Sequence, residues 1–61
     1  MRKISTEDMV RAIPGNEDEV VCEEGFVRYV EGHQNGDMAL VAHGTPRRDE
    51  WFHIGNLELV S

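Results

Sequence analysis

The sequence has little of what small domains use for covalent stabilisation or for crossing membranes. It contains one cysteine, which excludes an internal disulfide and a cysteine-based metal framework, and favours a reducing, intracellular setting. No run approaches the roughly 20 apolar residues that a membrane helix needs. The first residues, MRKISTEDMV, lack the apolar segment of a signal peptide. These absences predict a cytoplasmic protein with no membrane contact.

Basic residues are also scarce. The chain has 6 Lys and Arg against 12 Asp and Glu, a net charge of −6. A field of this sign repels phosphate backbones, so nucleic acid is a less favoured partner than protein. The 61 residues, 39% of them hydrophobic, predict a single folded domain over 1–61. Because such a short chain hides only about 60% of its unfolded surface, we also expect a homodimer that covers a strand edge.

Apolar runs separated by turn residues predict an all-β fold. The strongest local signal is Asn35-Gly36, typical of a tight hairpin turn, between Gly25–Gly32 and Asp37–His43. In the fourth run Phe52 and Ile54 face inward, which leaves Trp51 and His53 outward. The second run has two mixed faces, so its register stays open. We predict five strands, the last of them entered directly or through a 3₁₀ turn: Asp8–Ile13, Phe26–Glu31, Met38–His43, Glu50–Ile54 and Leu57–Val60.

The segment Asn16–Glu24 predicts a long acidic loop. It carries five carboxylates around the apolar trio Val20-Val21-Cys22. The β-branched pair disfavours a helix, so we expect an exposed excursion whose apolar trio packs onto the sheet. Such a loop is where a domain of this size carries specificity.

This layout resembles a small SH3-like barrel. The resemblance lies in Val10-Arg11-Ala12-Ile13-Pro14-Gly15, in Glu24-Gly25-Phe26-Val27, and in the closing Gly55-Asn56-Leu57-Glu58-Leu59-Val60. The first two stretches look like the KOW-type variant, with its spaced glycines and valines. The resemblance implies a five-stranded barrel; barrels of this kind include nucleic-acid readers, peptide readers and docking subunits of larger enzymes.

The positions of the residues that could support catalysis or metal binding do not match a catalytic or metal site. Zinc sites use close ligand pairs, whereas the three histidines here are ten residues apart, so we predict no metal and no cofactor. Glu23 and Glu24 disfavour a thiolate at Cys22, which we expect to be a buried apolar residue. The carboxylates Glu17–Glu19 lie in a solvated loop, unlike a catalytic pair. We therefore predict that the chain is not an enzyme. The metal-ligand types considered are Cys22, His33, His43 and His53.

Exposed aromatic side chains interleaved with arginine are typical of protein interfaces and of base-stacking platforms. We predict a protein-binding module whose Trp51/His53 face makes the contact, while the acidic loop attracts a basic partner. One alternative is a KOW-like nucleic-acid-binding domain of translation or transcription; another is an acidic inhibitor that mimics nucleic acid. A purely structural Trp51 at a barrel edge remains an open interpretation. The predicted binding residues are Trp51, His53, Tyr29, Arg28, Arg47, Arg48, Glu17, Asp18 and Glu19.

Overall fold

The computed structural model describes residues 3–32, 34 and 36–60, and it is all-β, as the sequence predicts. Its elements are β1 (Met9–Ala12), β2 (Gly25–Glu31), β3 (Met38–His43), β4 (Arg48–His53), a 3₁₀ helix (Ile54–Asn56) and β5 (Leu57–Leu59). The 3₁₀ turn leads directly into the last strand. None of the helical structure in these residues is long and apolar enough to cross a membrane.

The five strands form one antiparallel sheet in the order β4-β3-β2-β1-β5. β2, β3 and β4 are a meander, and β5 returns to pair with β1 on the far side. Among the described residues β4 and β5 each pair with a single strand, so the sheet is open along that seam. This layout is compatible with an SH3-like barrel.

The core takes residues from all five strands, from the N-terminal segment through Ile4 and from the loop after β1 through Cys22. Val10, Val27 and Val41 are fully buried at its centre. In β4 only Phe52 is buried, and Trp51 and His53 face outward as predicted. The buried apolar cluster is Ile4, Val10, Cys22, Val27, Ala39, Val41, Phe52 and Leu57.

A β-bulge explains why β2 has two mixed faces in the sequence. The pairing with β3 shifts between Val27, opposite Val41, and Tyr29, opposite Leu40. An extra residue in one strand reverses which side chains point inward. Val27 and Val30 therefore both face the core, although in a regular strand an odd-numbered and an even-numbered residue would point to opposite faces. Neither simple register applies along the whole strand.

Several predicted boundaries need correction. The fourth strand begins at Arg48 rather than Glu50, because Arg48 pairs with His43 and shortens the turn. In the acidic segment Cys22 is buried and Val20 packs against the core, but Val21 is exposed to solvent. The apolar trio therefore docks only in part. The predicted turn residue Asn35 and the candidate ligand His33 lie outside the described residues.

Candidate binding groove

An open groove lies between the loop after β1, the loop before β3 and the 3₁₀ turn after β4. Its volume is about 640 Å³. We call it the acidic groove. Three of the lining residues are carboxylic acids, and none of the others that the structure describes is a lysine or an arginine. The lining is Ile13, Gly15, Asn16, Glu17, Asp18, Gly36, Asp37, His53, Gly55 and Asn56.

Asn16 holds the acidic loop in shape. Its side-chain amide nitrogen donates to the carbonyls of Ile13 at 2.9 Å and Val20 at 3.0 Å. Its side-chain oxygen accepts from the backbone N–H of Val20 at 2.9 Å. Asparagine readily bonds nearby backbone in this way, replacing the strand pairing that the loop lacks. The loop is therefore braced across its base rather than free to collapse.

Asn56 ties the acidic loop to the 3₁₀ turn. The side-chain amide nitrogen of this buried residue donates to the Asp18 carboxylate at 2.7 Å. Its backbone carbonyl accepts from the backbone N–H of Ile13 at 2.8 Å. A short bond to an ionised acceptor is stronger than a neutral one. These two contacts fix the acidic loop against the 3₁₀ turn, and both segments line the groove.

The groove collects negative charge from two loops that are distant in sequence. Glu17 and Asp18 come from the loop after β1, and Asp37 from the loop before β3. Lys3 lies 3.7 Å from the Asp37 carboxylate, but the Lys3 side chain is 79% exposed and such pairs contribute little. The site is therefore electrostatically suited to a cationic group.

No protein-family model, curated protein or solved structure matches this chain. The features that bear on function are the charge of the groove, the outward face of β4 and the few remaining ionisable groups.

The outward face of the sheet carries a second group of predicted residues. The rings of Tyr29 and Trp51 meet edge to face, with centroids 6.2 Å apart, on either side of Leu40. Arg28 reaches across β3 to the Asp49 carboxylate at 3.8 Å. The structure thus brings together Arg28, Tyr29 and Trp51, while His53 lies at the end of β4 and lines the groove.

The remaining predicted residues lie apart from both places. Arg48 begins β4 and is roughly 17 Å along the strand from His53, at about 3.4 Å per residue. It lies 3.8 Å from the Glu50 carboxylate. Arg47 is in the turn before it, and Glu19 is exposed on the acidic loop without lining the groove.

A buried histidine and the single cysteine mark the turn end of the core. His43 is 2% exposed, its Nε2 is 2.9 Å from a Glu50 oxygen, and its Nδ1 has no hydrogen-bond partner among the described residues. Burial, Glu50 and Glu23 together raise the pKa of the Cys22 thiol to about 11. This confirms the expectation of a buried, protonated Cys22. The described residues contain no group of three or more side chains arranged to hold a metal ion.

Three groove residues were missed by the sequence reasoning. In the sequence Asp37 was only the first residue of the second hairpin arm, Asn16 only the first residue of the acidic loop, and Asn56 only part of the closing segment. An asparagine that opens a long acidic segment is a signal for a side-chain-braced loop, and could have been used for Asn16. The approach of Asp37 to Glu17 and Asp18 depends on the sheet and has no local signal.

Proposed function

We propose that this protein is a non-enzymatic binding module that docks a basic segment of a protein partner in the acidic groove. The observation that carries the proposal is the convergence of Glu17, Asp18 and Asp37 on one groove. Carboxylates that surround a concave surface focus the field there and raise the rate at which cations arrive.

The groove is suited to binding because its walls are held in place before a ligand arrives. Asn16 braces the loop and Asn56 holds Asp18, so little ordering remains to be done on association. A guanidinium group matches a carboxylate with two parallel hydrogen bonds, which favours arginine in the partner segment. A bound cation near Asp37 would displace the exposed Lys3.

The charges predict a weak and salt-sensitive complex. Exposed ion pairs contribute about 0.2–1 kcal/mol each, so the three carboxylates supply roughly 0.6–3 kcal/mol in total. That amount steers and orients a partner but needs apolar contacts beside it for tight binding. A transient regulatory or adaptor interaction fits this balance better than a permanent complex.

The strand order, the long loop after β1 and the 3₁₀ turn before β5 support assignment to the SH3-like barrels, which is part of the proposal. The KOW-like nucleic-acid function has less support. Arg28 and Arg48 each lie 3.8 Å from a carboxylate, but both side chains are more than half exposed, so it is the net charge of −6 that disfavours phosphate binding. Inhibition by nucleic-acid mimicry stays a prediction from the net charge.

The test uses a fluorescent arginine-rich peptide and its glutamate-rich counterpart, with binding followed by anisotropy. We expect the arginine-rich peptide to bind and Glu17→Gln or Asp37→Asn to weaken it by about twofold to fivefold each. Glu24→Gln is the matched control, because it removes the same charge outside the groove. Equal weakening by the control would show that only net charge matters, and would contradict a defined site.

A further inference from the structure

β4 has an unpaired long edge. It ends the sheet, and no described residue pairs with its outer side. The strand is six residues long, contains neither lysine nor proline, and pairs with β3 without a bulge. Lysine, proline and bulges are among the devices that protect an edge, and charged residues are another, which Arg48, Asp49 and Glu50 supply in the first half of the strand. The second half, from Trp51 to His53, carries none of these devices, and such an edge is a template for another strand.

The hydrogen-bonding pattern between β3 and β4 shows which backbone groups of β4 point away from β3. The N–H of Ile54 donates to the carbonyl of Asp37 at 2.9 Å, continuing the register in which His53 pairs with Met38. Residues of a strand direct their backbone groups alternately to its two sides. Ile54 and Phe52 therefore face β3. The outer edge presents the N–H and C=O groups of Asp49, Trp51 and His53.

The same three residues are exposed, whereas Phe52 between them is buried. Their order along the strand is acid, aromatic, imidazole. If a two-fold axis passes through Trp51, the acid of one strand lies opposite the imidazole of its copy, so the edge is complementary to itself. A symmetric pair of identical surfaces needs this property.

We propose that two copies of this chain pair antiparallel through β4, with the two-fold axis at Trp51. Each Trp51 would then lie against its counterpart, and each Asp49 would oppose His53 of the second copy. The three free N–H and C=O pairs of each edge would all be satisfied. The interface would also extend the exposed Tyr29–Trp51 contact into a larger aromatic surface.

Charge disfavours the register that is shifted by one residue towards Arg48. Moving the axis by one residue, to Glu50, would place two Glu50 side chains opposite each other, and like charges in that position are destabilising. With the axis at Trp51, Glu50 opposes Phe52 instead. Asp49 can accept from both Arg28 and a facing imidazole, because a carboxylate has several acceptor sites.

The test compares Asp49→Pro with Asp49→Ala in the full chain by sedimentation, from about 10 µM to about 1 mM. Both variants remove the carboxylate, but only proline removes the outward N–H, and an edge position tolerates it. We expect a wild-type dimer, and dissociation about tenfold easier for proline than for alanine. A wild type that stays monomeric throughout, or equal behaviour of the two variants, would overturn the proposal.

Hydrogen exchange of the wild type supplies a readout independent of any variant. The amide protons of Asp49, Trp51 and His53 are expected to exchange slowly in concentrated samples and quickly in dilute ones. Concentration-dependent protection on β5, with none on β4, would place the dimer at the other edge and refute this one.

Discussion

Substitution of Gly25 by alanine tests how the sheet packs at the start of β2. A Cβ at this buried position would lie 2.6 Å from Val41 Cγ1, 2.7 Å from the Ala42 carbonyl oxygen and 2.8 Å from His43 Cβ. All three distances are shorter than ordinary contacts between heavy atoms. One of these atoms is backbone in β3, and Val41 is fully buried, so the strands themselves must separate.

The expected loss of stability is large for a chain of this size. Overpacking of a core costs about 1–3 kcal/mol, and a contact with backbone belongs near the upper end, about 3 kcal/mol. At roughly 0.05–0.15 kcal/mol per residue, the whole fold is stable by about 3–9 kcal/mol. Gly25→Ala therefore removes a third or more of the stability, and lowers Tm by roughly 12–24 °C.

Urea denaturation followed by circular dichroism measures this change. The matched control is Gly55→Ala, since nothing lies within 4 Å of a Cβ at Gly55 and its φ is not in the left-handed region. The control is expected to stay within about 0.5 kcal/mol of wild type. If the two variants prove equally stable, then the close approach of β2 and β3 at Gly25 does not exist in solution.

Two further predictions concern the acidic loop and the thiol. Asn16→Ala removes three hydrogen bonds at the base of the loop, and should cost about 1–2 kcal/mol in urea denaturation and weaken peptide binding in the groove; unchanged stability would contradict the bracing role. The pKa of Cys22 is raised from 9.0 to about 11, so the native state holds the proton more tightly than the unfolded state. The contribution of Cys22 to the free energy of unfolding is therefore fully present below pH 9 and declines as the pH rises towards 11. This decline should be absent in Cys22→Ala. A thiol reagent that labels native Cys22 as fast as the unfolded chain would refute its burial.

Much of the architecture followed from local patterns in the sequence. Alternation around Phe52 correctly assigned its inward side and left Trp51 outside, because side chains of a strand point alternately to its two faces. The prediction that Cys22 is buried and protonated was confirmed as well, although the contribution of Glu50 to its pKa depends on a contact across the fold.

Other features had no local signal. The bulge after Val27 depends on how β2 meets β3, and it reverses the inward side in mid-strand, which alternation alone does not reveal. The extra pair at Arg48 likewise depends on the partner His43. Both features arise because hydrogen bonds between strands override the pattern within one strand; the sequence leaves the register of β2 open, whereas the predicted start of β4 at Glu50 was wrong.

The predicted binding residues were separated by the fold. The set chosen for charge and aromatic character divides between the acidic groove, the outward face of β2–β4 and the β3–β4 turn. His53 belongs to the groove, Trp51 to the outward face, and Arg47 to the turn. Composition identifies residue types suited to interfaces but carries no information on which of them meet.

The sequence by itself determined an acidic, all-β domain with five strands and a long loop rich in carboxylates, because strand periodicity, turn residues and net charge are local or additive properties. The tertiary structure decided where the charge acts. Asp37 joins Glu17 and Asp18 only because β3 and the 3₁₀ turn bring two loops to one groove. It also decided that β4 and β5, rather than β1, β2 or β3, have an unpaired edge among the described residues, since strand order depends on which strands meet after the chain has folded.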